Sequence, residues 1–245
     1  MSGRTARAAR KGSTGSKKPP SVRAPKQRVG QRSRGRLAIW ALVVGVAAVL
    51  GLYALTRVGS PDGSPDGSQG AQGSSDYPYA VGTPGPRDGA LPLTLPSTAG
   101  GEFDLADYRG KDQVLLFFHE GLTCQPCWDQ MKAIQQRLDE FRALGVGPIV
   151  GITTDSIELI DRKVADEGIS LPVLADVGGE FSAAWEMNRY QMTGMGERPG
   201  HSFVLVGTDG KVVWRADYGG APKYTMFLPV DALLRDLREG VQNVA

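Results

Sequence analysis

The segment between residues 114 and 127 constrains the fold more than any other part of the sequence. An uninterrupted apolar run, Val114–Phe118, is followed by a short loop and then by the pair Cys124 and Cys127. A run of this kind predicts a β-strand that is covered on both faces. Apolar residues then recur at helical spacing, at Cys127, Met131, Ile134, Leu138, Phe141 and Leu144. The sequence therefore predicts a buried strand that leads into a helix with two cysteines at its N-terminus.

Strand and helix patterns alternate through the rest of the C-terminal part. Short apolar runs predict further strands at residues 149–153, 171–174, 203–206 and 211–214. The last two flank the turn Gly207–Gly210, which indicates a hairpin. Asp155 or Ser156 can cap the next helix, with Glu158 three residues after Asp155 as in a capping box, and Pro229 opens a final amphipathic helix. We expect an α/β domain with a mixed sheet and helices on both faces.

The N-terminal part of the chain has a different composition. Residues 1–36 contain twelve Lys or Arg and no Asp or Glu, whereas the remaining residues carry 16 basic and 26 acidic side chains. A basic segment with so few large apolar residues cannot bury enough surface to fold, so we expect a disordered cytoplasmic tail. Nucleic-acid binding is the alternative interpretation of this tail. The adjoining segment favours a topology signal instead, and we predict no nucleic-acid partner.

Residues 37–55 form an apolar run without charge. At about 1.5 Å per residue the run spans roughly 28 Å, which matches a hydrocarbon core of about 30 Å. The positive charge before it places the N-terminus in the cytoplasm and the later residues outside. A cleaved signal peptide is the alternative, but its apolar stretch is usually shorter. We expect a single-pass cell-membrane protein with a signal anchor at 37–55, a flexible Gly/Ser/Pro linker at 56–88 and an extracytoplasmic domain at 89–245.

Cys124 and Cys127 are the only cysteines in the chain. A bridge between them would close a very short loop and add little stability, so the pair is better suited to reactivity or metal binding. A helix N-terminus stabilises a thiolate, and two intervening residues let the second sulfur close a disulfide with the first. Zinc is the alternative for such a pair, but four Cys and His ligands would require both His119 and His201. A buried, inert pair of thiols is a further alternative.

Four segments carry a resemblance to a known group of proteins. They are residues 103–111, 117–127, 151–155 and 198–210. Through them the chain resembles the thioredoxin superfamily, in particular the redoxins related to alkyl hydroperoxide reductase/thiol-specific antioxidant proteins and the TlpA/ResA-like membrane-tethered thioredoxins. The resemblance covers nearly all of residues 89–240 and implies a thioredoxin-like mixed sheet.

The resemblance also implies roles for individual residues. Cys124 would be the attacking cysteine and Cys127 the resolving one. Pro199 would form a cis peptide bond beside the disulfide, and a trans proline that ends a loop is the alternative. Phe118 replaces the buried acid of cytosolic thioredoxins, so Glu120 becomes the candidate for proton transfer to Cys127. A solvated loop acid is the alternative interpretation of Glu120.

The function implied by the resemblance is thiol–disulfide exchange on exported protein thiols or disulfides. Its electrons would come from a membrane donor or a thioredoxin-like reductant. A peroxiredoxin-like thiol peroxidase is the first alternative, but neither cysteine fits the Pro-x-x-x-Thr/Ser-x-x-Cys motif of peroxiredoxins. Arg198 could be the arginine that peroxiredoxins hold near the thiolate, or an ordinary exposed arginine. A Sco-like copper chaperone using both cysteines and His201 is the second alternative, although Sco proteins space their cysteines by three residues. We predict no cofactor and no resident metal.

Overall fold

The computed structural model describes residues 72–74, 76–192, 194 and 196–244. The predicted basic tail and signal anchor lie outside these residues, as does the predicted linker up to residue 71. Within the described ranges, no helix is both long enough and apolar enough to span a membrane.

The strands of the described residues form one large sheet and two small hairpins. In chain order they are β1 (Gln72–Gly73), β2 (Pro78–Tyr79), β3 (Thr94–Pro96), β4 (Glu102–Asp104), β5 (Gln113–Phe118), β6 (Val146–Thr153), β7 (Val173–Ala175), β8 (Ser202–Val206) and β9 (Val212–Asp217). The large sheet has the strand order β7–β6–β5–β8–β9. β5 pairs in parallel with β6 and antiparallel with β8, so the predicted mixed sheet is confirmed.

Five α-helices of the described residues accompany the sheet. They are α1 (Gln125–Gln135), α2 (Leu138–Ala143), α3 (Ile157–Glu167), α4 (Glu180–Ala184) and α5 (Val230–Val244), with 3₁₀ turns at Leu105–Tyr108, Gly121–Thr123 and Met187–Tyr190. α1, α3 and α5 contribute Met131, Ile160 and Leu233 to the core on one face. The β3–β4 hairpin and the segment from Trp185 to Met187 cover the other face. The sheet is therefore enclosed on both sides. The prediction of helices on both faces is only partly met, because α1, α3 and α5 lie on one face and the short α4 adds Phe181 to the other.

β5 shows how the apolar run fits this arrangement. Leu115 and Phe117 belong to the core on one face, while Val114, Leu116 and Phe118 belong to the core on the other. Each of these side chains is 1% exposed or less. Since successive side chains of a strand point to opposite faces, a central strand covered on both sides must be apolar throughout. The predicted buried strand is confirmed, and its carboxyl end delivers the chain to the cysteines.

The predicted linker ends earlier than the sequence indicated. Tyr79 and Val81 are buried in the core, and Ala80 pairs with Asp217 of β9. The N–H of Gly82 donates to Asp217 Oδ2 at 2.7 Å, and the N–H of Arg87 donates to the carbonyl oxygen of Val212 at 2.8 Å. β9 is an edge strand, and an edge strand leaves backbone groups unpaired unless another segment covers them. The prediction of a flexible linker is therefore wrong for residues 76–88, which belong to the folded domain.

The helix predicted from the spacing between Cys127 and Leu144 is interrupted. α1 ends at Gln135, and α2 begins at Leu138. The break coincides with tertiary hydrogen bonds of the Gln135 side chain, which donates to the carbonyl oxygen of Gly168 and accepts from the N–H of Ser170. Apolar spacing alone does not report such bonds, so the pattern runs through the break.

Candidate active site

Both cysteines lie at the junction of the central strand and the first helix. β5 ends at Phe118, the 3₁₀ turn Gly121–Thr123 follows, and Cys124 is the N-cap residue of α1. Cys124 and Cys127 form a disulfide, with their Cα atoms 5.4 Å apart. Cys124 is 5% exposed and Cys127 is 0% exposed. Cys124 is therefore the cysteine that lies nearer the surface, while Cys127 is fully enclosed.

The first turn of α1 is directed at the sulfur of Cys124. The backbone N–H of Cys127 donates to Cys124 Sγ at 3.2 Å. Pro126 occupies the start of the helix, where its missing N–H costs no helical hydrogen bond. The partial positive charge of a helix N-terminus stabilises an anion placed there. When the disulfide is opened, Cys124 is therefore the sulfur that the helix stabilises as a thiolate.

Glu120 lies beside both sulfurs. One oxygen of its carboxylate and the two Sγ atoms lie within 4.8 Å of one another. Glu120 is only 1% exposed, so its interpretation as a solvated loop acid is wrong. Burial raises the pKa of Glu120, against the lowering effect of the Met192 N–H, which donates to Oε1 at 3.0 Å. A buried carboxyl group with a raised pKa is suited to exchanging protons with a neighbouring thiol.

Two buried histidines complete the surroundings of the disulfide. The rings of His119 and His201 contact the ring of Phe117, with centroids 4.9 and 4.7 Å apart. His201 Nδ1 lies 3.8 Å from Cys127 Sγ. Burial lowers the pKa of His119 to about 4, and burial together with the neighbouring His119 lowers the pKa of His201 to about 3. Both imidazoles are therefore neutral at pH 7.

His201 and Cys127 are 74 positions apart, and the sequence brought them together only in the copper-chaperone alternative, through a family resemblance and not through a local pattern. The signal that could have found the contact is the position of His201 directly before β8. Ser202 pairs with Phe118 at the carboxyl end of β5, so a residue before Ser202 lies close to the cysteine loop. We call Cys124, Cys127, Glu120 and His201 the dithiol cluster.

The loop before Cys124 is held from the side by Asp155. Its Oδ2 accepts the N–H of Leu122 at 2.8 Å and the hydroxyl of Thr153 at 2.9 Å. Arg198 donates to Asp155 Oδ1 at 3.0 Å and to the carbonyl oxygen of Glu120 at 2.9 Å. Asp155 therefore fixes the cysteine loop instead of forming a capping box, because its carboxylate is already engaged. The other predicted cap, Ser156, is the N-cap residue of α3. Arg198 is half-buried and bound to this loop, so it is not an ordinary exposed arginine.

The peptide bond before Pro199 is trans. Within the described ranges, the cis peptide bonds precede Pro84 and Pro222. The predicted cis geometry at Pro199 is therefore wrong, and the trans alternative is confirmed. The N–H of the next residue, Gly200, donates to the carbonyl oxygen of Met187 at 2.9 Å, which holds this segment against the 3₁₀ turn. A role for the buried Pro199 in pairing with a substrate chain stays a prediction.

Residues 86–215, which include the site, match a known protein family, the AhpC/TSA family. The chain belongs to the AhpC/TSA family. A candidate peroxiredoxin of Mycobacterium tuberculosis is 33% identical to this AhpC/TSA chain over 132 residues, which are 52% of this chain and 82% of the relative.

Solved structures share the fold of the AhpC/TSA domain. Peroxidoxin BcpB from Mycobacterium tuberculosis is similar with a TM-score of 0.53 and 21% identity, over 63% of this chain and 97% of that structure. The 2-Cys peroxiredoxin of Plasmodium vivax is similar with a TM-score of 0.53 and 20% identity, over 64% of this chain and 82% of that structure. At such identities the likeness concerns the fold, and it agrees with the expected thioredoxin-like sheet.

This AhpC/TSA chain is a thiol-dependent oxidoreductase of the peroxiredoxin type. Because Cys124 and Cys127 are the only cysteines in the sequence, its thiol chemistry belongs to this pair. The interpretation of the pair as inert thiols is not compatible with that membership.

Proposed function

We propose that this protein is a thiol peroxidase in which the thiolate of Cys124 reduces a hydroperoxide. One observation carries the proposal: in a chain of the AhpC/TSA family, the less buried of the two cysteines is the N-cap of α1, and its sulfur is bonded to that of Cys127. The names of its relatives support it, since they include a candidate peroxiredoxin and a peroxidoxin of Mycobacterium tuberculosis.

The redox reactants are the two thiols, a hydroperoxide and a dithiol reductant. The Cys124 thiolate attacks one peroxide oxygen, so that an S–O bond forms and the O–O bond breaks. The other oxygen takes a proton and leaves as an alcohol, or as water when the substrate is hydrogen peroxide. The Cys127 thiolate then displaces the hydroxyl group of the sulfenic acid, which takes a proton and leaves as water. The reductant opens the resulting disulfide by attacking Cys124 Sγ.

The resolving step requires little movement of the backbone in this protein. The two cysteines are three positions apart, and α1 runs intact from Gln125 to Gln135 while the disulfide is closed. Cys127 therefore reaches Cys124 within the first turn of the helix, without unwinding it. We expect the sulfenic acid on Cys124 to be short-lived for this reason.

Glu120 is the proposed proton relay of the cycle. Its carboxylate is the acid group beside both sulfurs, and it is buried where water cannot readily take over proton transfer. It accepts the proton of the Cys127 thiol before Cys127 attacks, and it returns a proton when the disulfide is reduced.

Disulfide exchange with proteins is the second candidate, and the CxxC disulfide at a helix N-terminus favours it. The burial of Cys124 weighs against it, because a small hydroperoxide reaches a nearly enclosed sulfur more easily than a protein disulfide does. The AhpC/TSA family membership points in the same direction.

We also propose that the site acts outside the cell membrane, tethered by the anchor at residues 37–55. The support is the charge asymmetry of the sequence, with the basic tail before the apolar run. In that location the reductant would be a membrane electron donor or a thioredoxin-like protein. Proteolysis of intact cells tests this: an external domain is degraded, and a domain that resists protease until the cells are lysed contradicts the proposal.

The peroxidase proposal is tested with the reduced chain and its two single-cysteine variants. Wild-type protein should consume hydrogen peroxide much faster than free cysteine while dithiothreitol restores it. Cys124→Ser should lose this activity. Cys127→Ser should stop after one oxidation, with a sulfenic acid on Cys124 that dimedone labels and mass spectrometry locates.

Two outcomes contradict these assignments. A sulfenic acid on Cys127 in the Cys124→Ser variant, with none on Cys124 in Cys127→Ser, would exchange the roles of the two cysteines. Peroxide consumption no faster than that of free cysteine, together with rapid reduction of insulin disulfides, would establish the second candidate instead.

A further inference from the structure

Three buried donor atoms converge at the disulfide, and a fourth lies beside one of its two sulfurs. They are the two sulfurs, one carboxylate oxygen of Glu120 within 4.8 Å of both sulfurs, and Nδ1 of His201 at 3.8 Å from Cys127 Sγ. Each of the four residues is 5% exposed or less. Thiolate, imidazole and carboxylate are the ligand types that zinc takes in proteins.

The spacing between His201 and the neighbouring sulfur agrees with a tetrahedral centre. Zn–S distances of about 2.3 Å and Zn–N distances of about 2.0–2.1 Å place a sulfur and a nitrogen ligand about 3.6 Å apart on a tetrahedron. The observed 3.8 Å between His201 Nδ1 and Cys127 Sγ is close to this value. Opening the disulfide frees the two sulfurs to separate, as two thiolate ligands of one ion require.

We propose that the reduced protein binds one Zn²⁺ ion through Cys124, Cys127, Glu120 and His201. The sequence alone did not suggest this set, because a four-ligand site made from Cys and His alone requires both histidines. The structure supplies a carboxylate as the fourth ligand. His119 is not needed, since its Nδ1 accepts the N–H of Gly121 at 3.2 Å and its Nε2 lies near Gly151.

The remaining atoms of the proposed ligands are compatible with this role. Glu120 accepts the N–H of Met192 through Oε1, which leaves Oε2 for an ion. Within the described part of the chain, His201 Nε2 has no hydrogen-bond partner, so no bond fixes its tautomer against coordination through Nδ1. The guanidinium group of Arg198 lies at the carbonyl oxygen of Glu120 and offsets part of the negative charge of three anionic ligands.

Binding would be coupled to the redox state without any electron transfer to the metal. Coordination replaces the protons of two thiols, which are released to solvent, and forms two Zn–S bonds. The disulfide has no thiolate to offer, so the oxidised protein does not form the site. A bound ion also occupies the lone pairs with which Cys124 would attack a hydroperoxide, so zinc and peroxide compete for the same sulfur.

The first experiment measures zinc directly on the reduced full chain, under anaerobic conditions and against a chromophoric chelator. It needs no peroxide, so its failure would leave the proposed peroxidase activity intact. We expect one Zn²⁺ per chain in the reduced protein and none in the disulfide form. Because the chain has only two cysteines, a metal–thiolate signal belongs to this pair.

Variants identify the other two ligands. Glu120→Gln and His201→Asn should each weaken zinc binding by about tenfold or more, since even the loss of a residue behind a ligand costs about 10–100-fold. His119→Asn is the matched control, because it replaces the other histidine with a residue that can still accept the N–H of Gly121. Its zinc affinity should equal that of the wild type.

The spectrum of the Co²⁺-substituted wild type keeps the test independent of how the variants fold. Four-coordinate Co²⁺ with two thiolates gives intense visible bands and a sulfur-to-metal charge-transfer band, whereas an octahedral ion gives weak bands. The proposal is overturned if the reduced protein binds no zinc, if Co²⁺ is octahedral, or if folded Glu120→Gln and His201→Asn bind zinc as tightly as His119→Asn.

Discussion

The dithiol cluster and the ion pair of Arg215 with Asp217 are both buried, but their polar atoms differ in how many hydrogen-bond partners they have. The side chains of Arg215 and Asp217 are 0% exposed, and Arg215 Nε donates to Asp217 Oδ2 at 2.9 Å. Arg215 also donates to the carbonyl oxygens of Pro84 and Trp185, and Asp217 accepts the N–H of Gly82. Every charge there has several partners.

The dithiol cluster has fewer bonds. Within the described residues, Nε2 of His201 has no hydrogen-bond partner, and Glu120 accepts the single N–H of Met192. Nε2 of the adjoining His119, which lies outside the cluster, has no partner there either. A buried group whose hydrogen-bonding atoms are all paired is not stabilised further by gaining or losing a proton or by binding an ion. A buried group with spare donors and acceptors can exchange a proton or accept an ion. The comparison separates a pair that holds the fold together from a cluster that can react.

The largest expected effect is on stability, at the saturated ion pair. Arg215→Met should lower the free energy of unfolding by about 3–5 kcal/mol, because it leaves Asp217 buried without its counter-charge. Chemical denaturation of the oxidised protein measures this. Arg142→Met, which removes the exposed ion pair with Asp139, is the matched control and should change stability by no more than about 0.5 kcal/mol. Equal effects of the two variants would show that the Arg215 pair is not structural.

Low pH should lower the stability of the protein through the buried histidines His119 and His201. The pKa values of His119 and His201 are lowered by burial to about 4 and about 3, whereas the unfolded chain binds these protons near pH 6.5. Their contribution to stability is complete above pH 6.5 and is lost as the pH falls toward those lowered values. When the pH falls from 7 to 4.5, each histidine should lower the free energy of unfolding by about 2–3 kcal/mol. Denaturation curves at the two pH values measure the loss.

The histidine origin of this acid sensitivity can be checked by substitution. His119→Asn and His201→Asn should each flatten the decline of stability between pH 7 and pH 4.5, whatever they do to stability at pH 7. If the decline keeps its full size in both variants, the loss belongs to other groups and the histidines are not buried in neutral form.

Substitution of Glu120 should lower the activity without changing the stability. Glu120→Gln should slow the peroxidase cycle by about 10²-fold, which is the lower end of what a proton-transfer group contributes. Its free energy of unfolding should stay close to that of the wild type, because the amide oxygen can still accept the N–H of Met192. Glu158→Gln, an exposed acid in α3, is the control for the removal of one charge. An unchanged rate in Glu120→Gln would exclude Glu120 from the proton path.

The smallest effect should come from the network around Glu167. This side chain accepts bonds from Lys132, Lys163 and Gln125, and the last of these lies between the two cysteines. The network is partly exposed, so Glu167→Gln should reduce stability by less than about 1 kcal/mol. Thermal unfolding measures it. A large fall in peroxide turnover would instead extend the dithiol cluster to α3.

Local patterns predicted the elements that the site stands on. The apolar run of β5, the paired runs of β8 and β9, and the helix after Pro229 depend on periodicity within a few residues, and the structure confirms all of them. The position of Cys124 and Cys127 at a helix start followed from the same local reading. Glu120 was also found beside the sulfurs, because it lies only four positions before Cys124.

Contacts between distant parts of the chain could not be predicted in this way. His201 meets Cys127 only because β8 pairs with β5. Residues 76–88 have the Gly and Pro content of a linker, yet Gly82 bonds to Asp217, 135 positions away. Asp155 has the position of a helix cap, but its carboxylate turns to Leu122 across the loop. In each case the deciding partner is supplied by the assembled sheet.

Gly121 has a consequence for anyone who would engineer this chemistry elsewhere. The residue has a φ of +68°, and a Cβ at this position would overlap the carboxylate of Asp155 and the hydroxyl of Thr153. Its carbonyl oxygen accepts the indole N–H of Trp128 at 2.9 Å. The four residues from Cys124 to Cys127 are therefore not a portable unit. A transplant into another scaffold would have to carry the glycine, the far end of β6 and the indole with it.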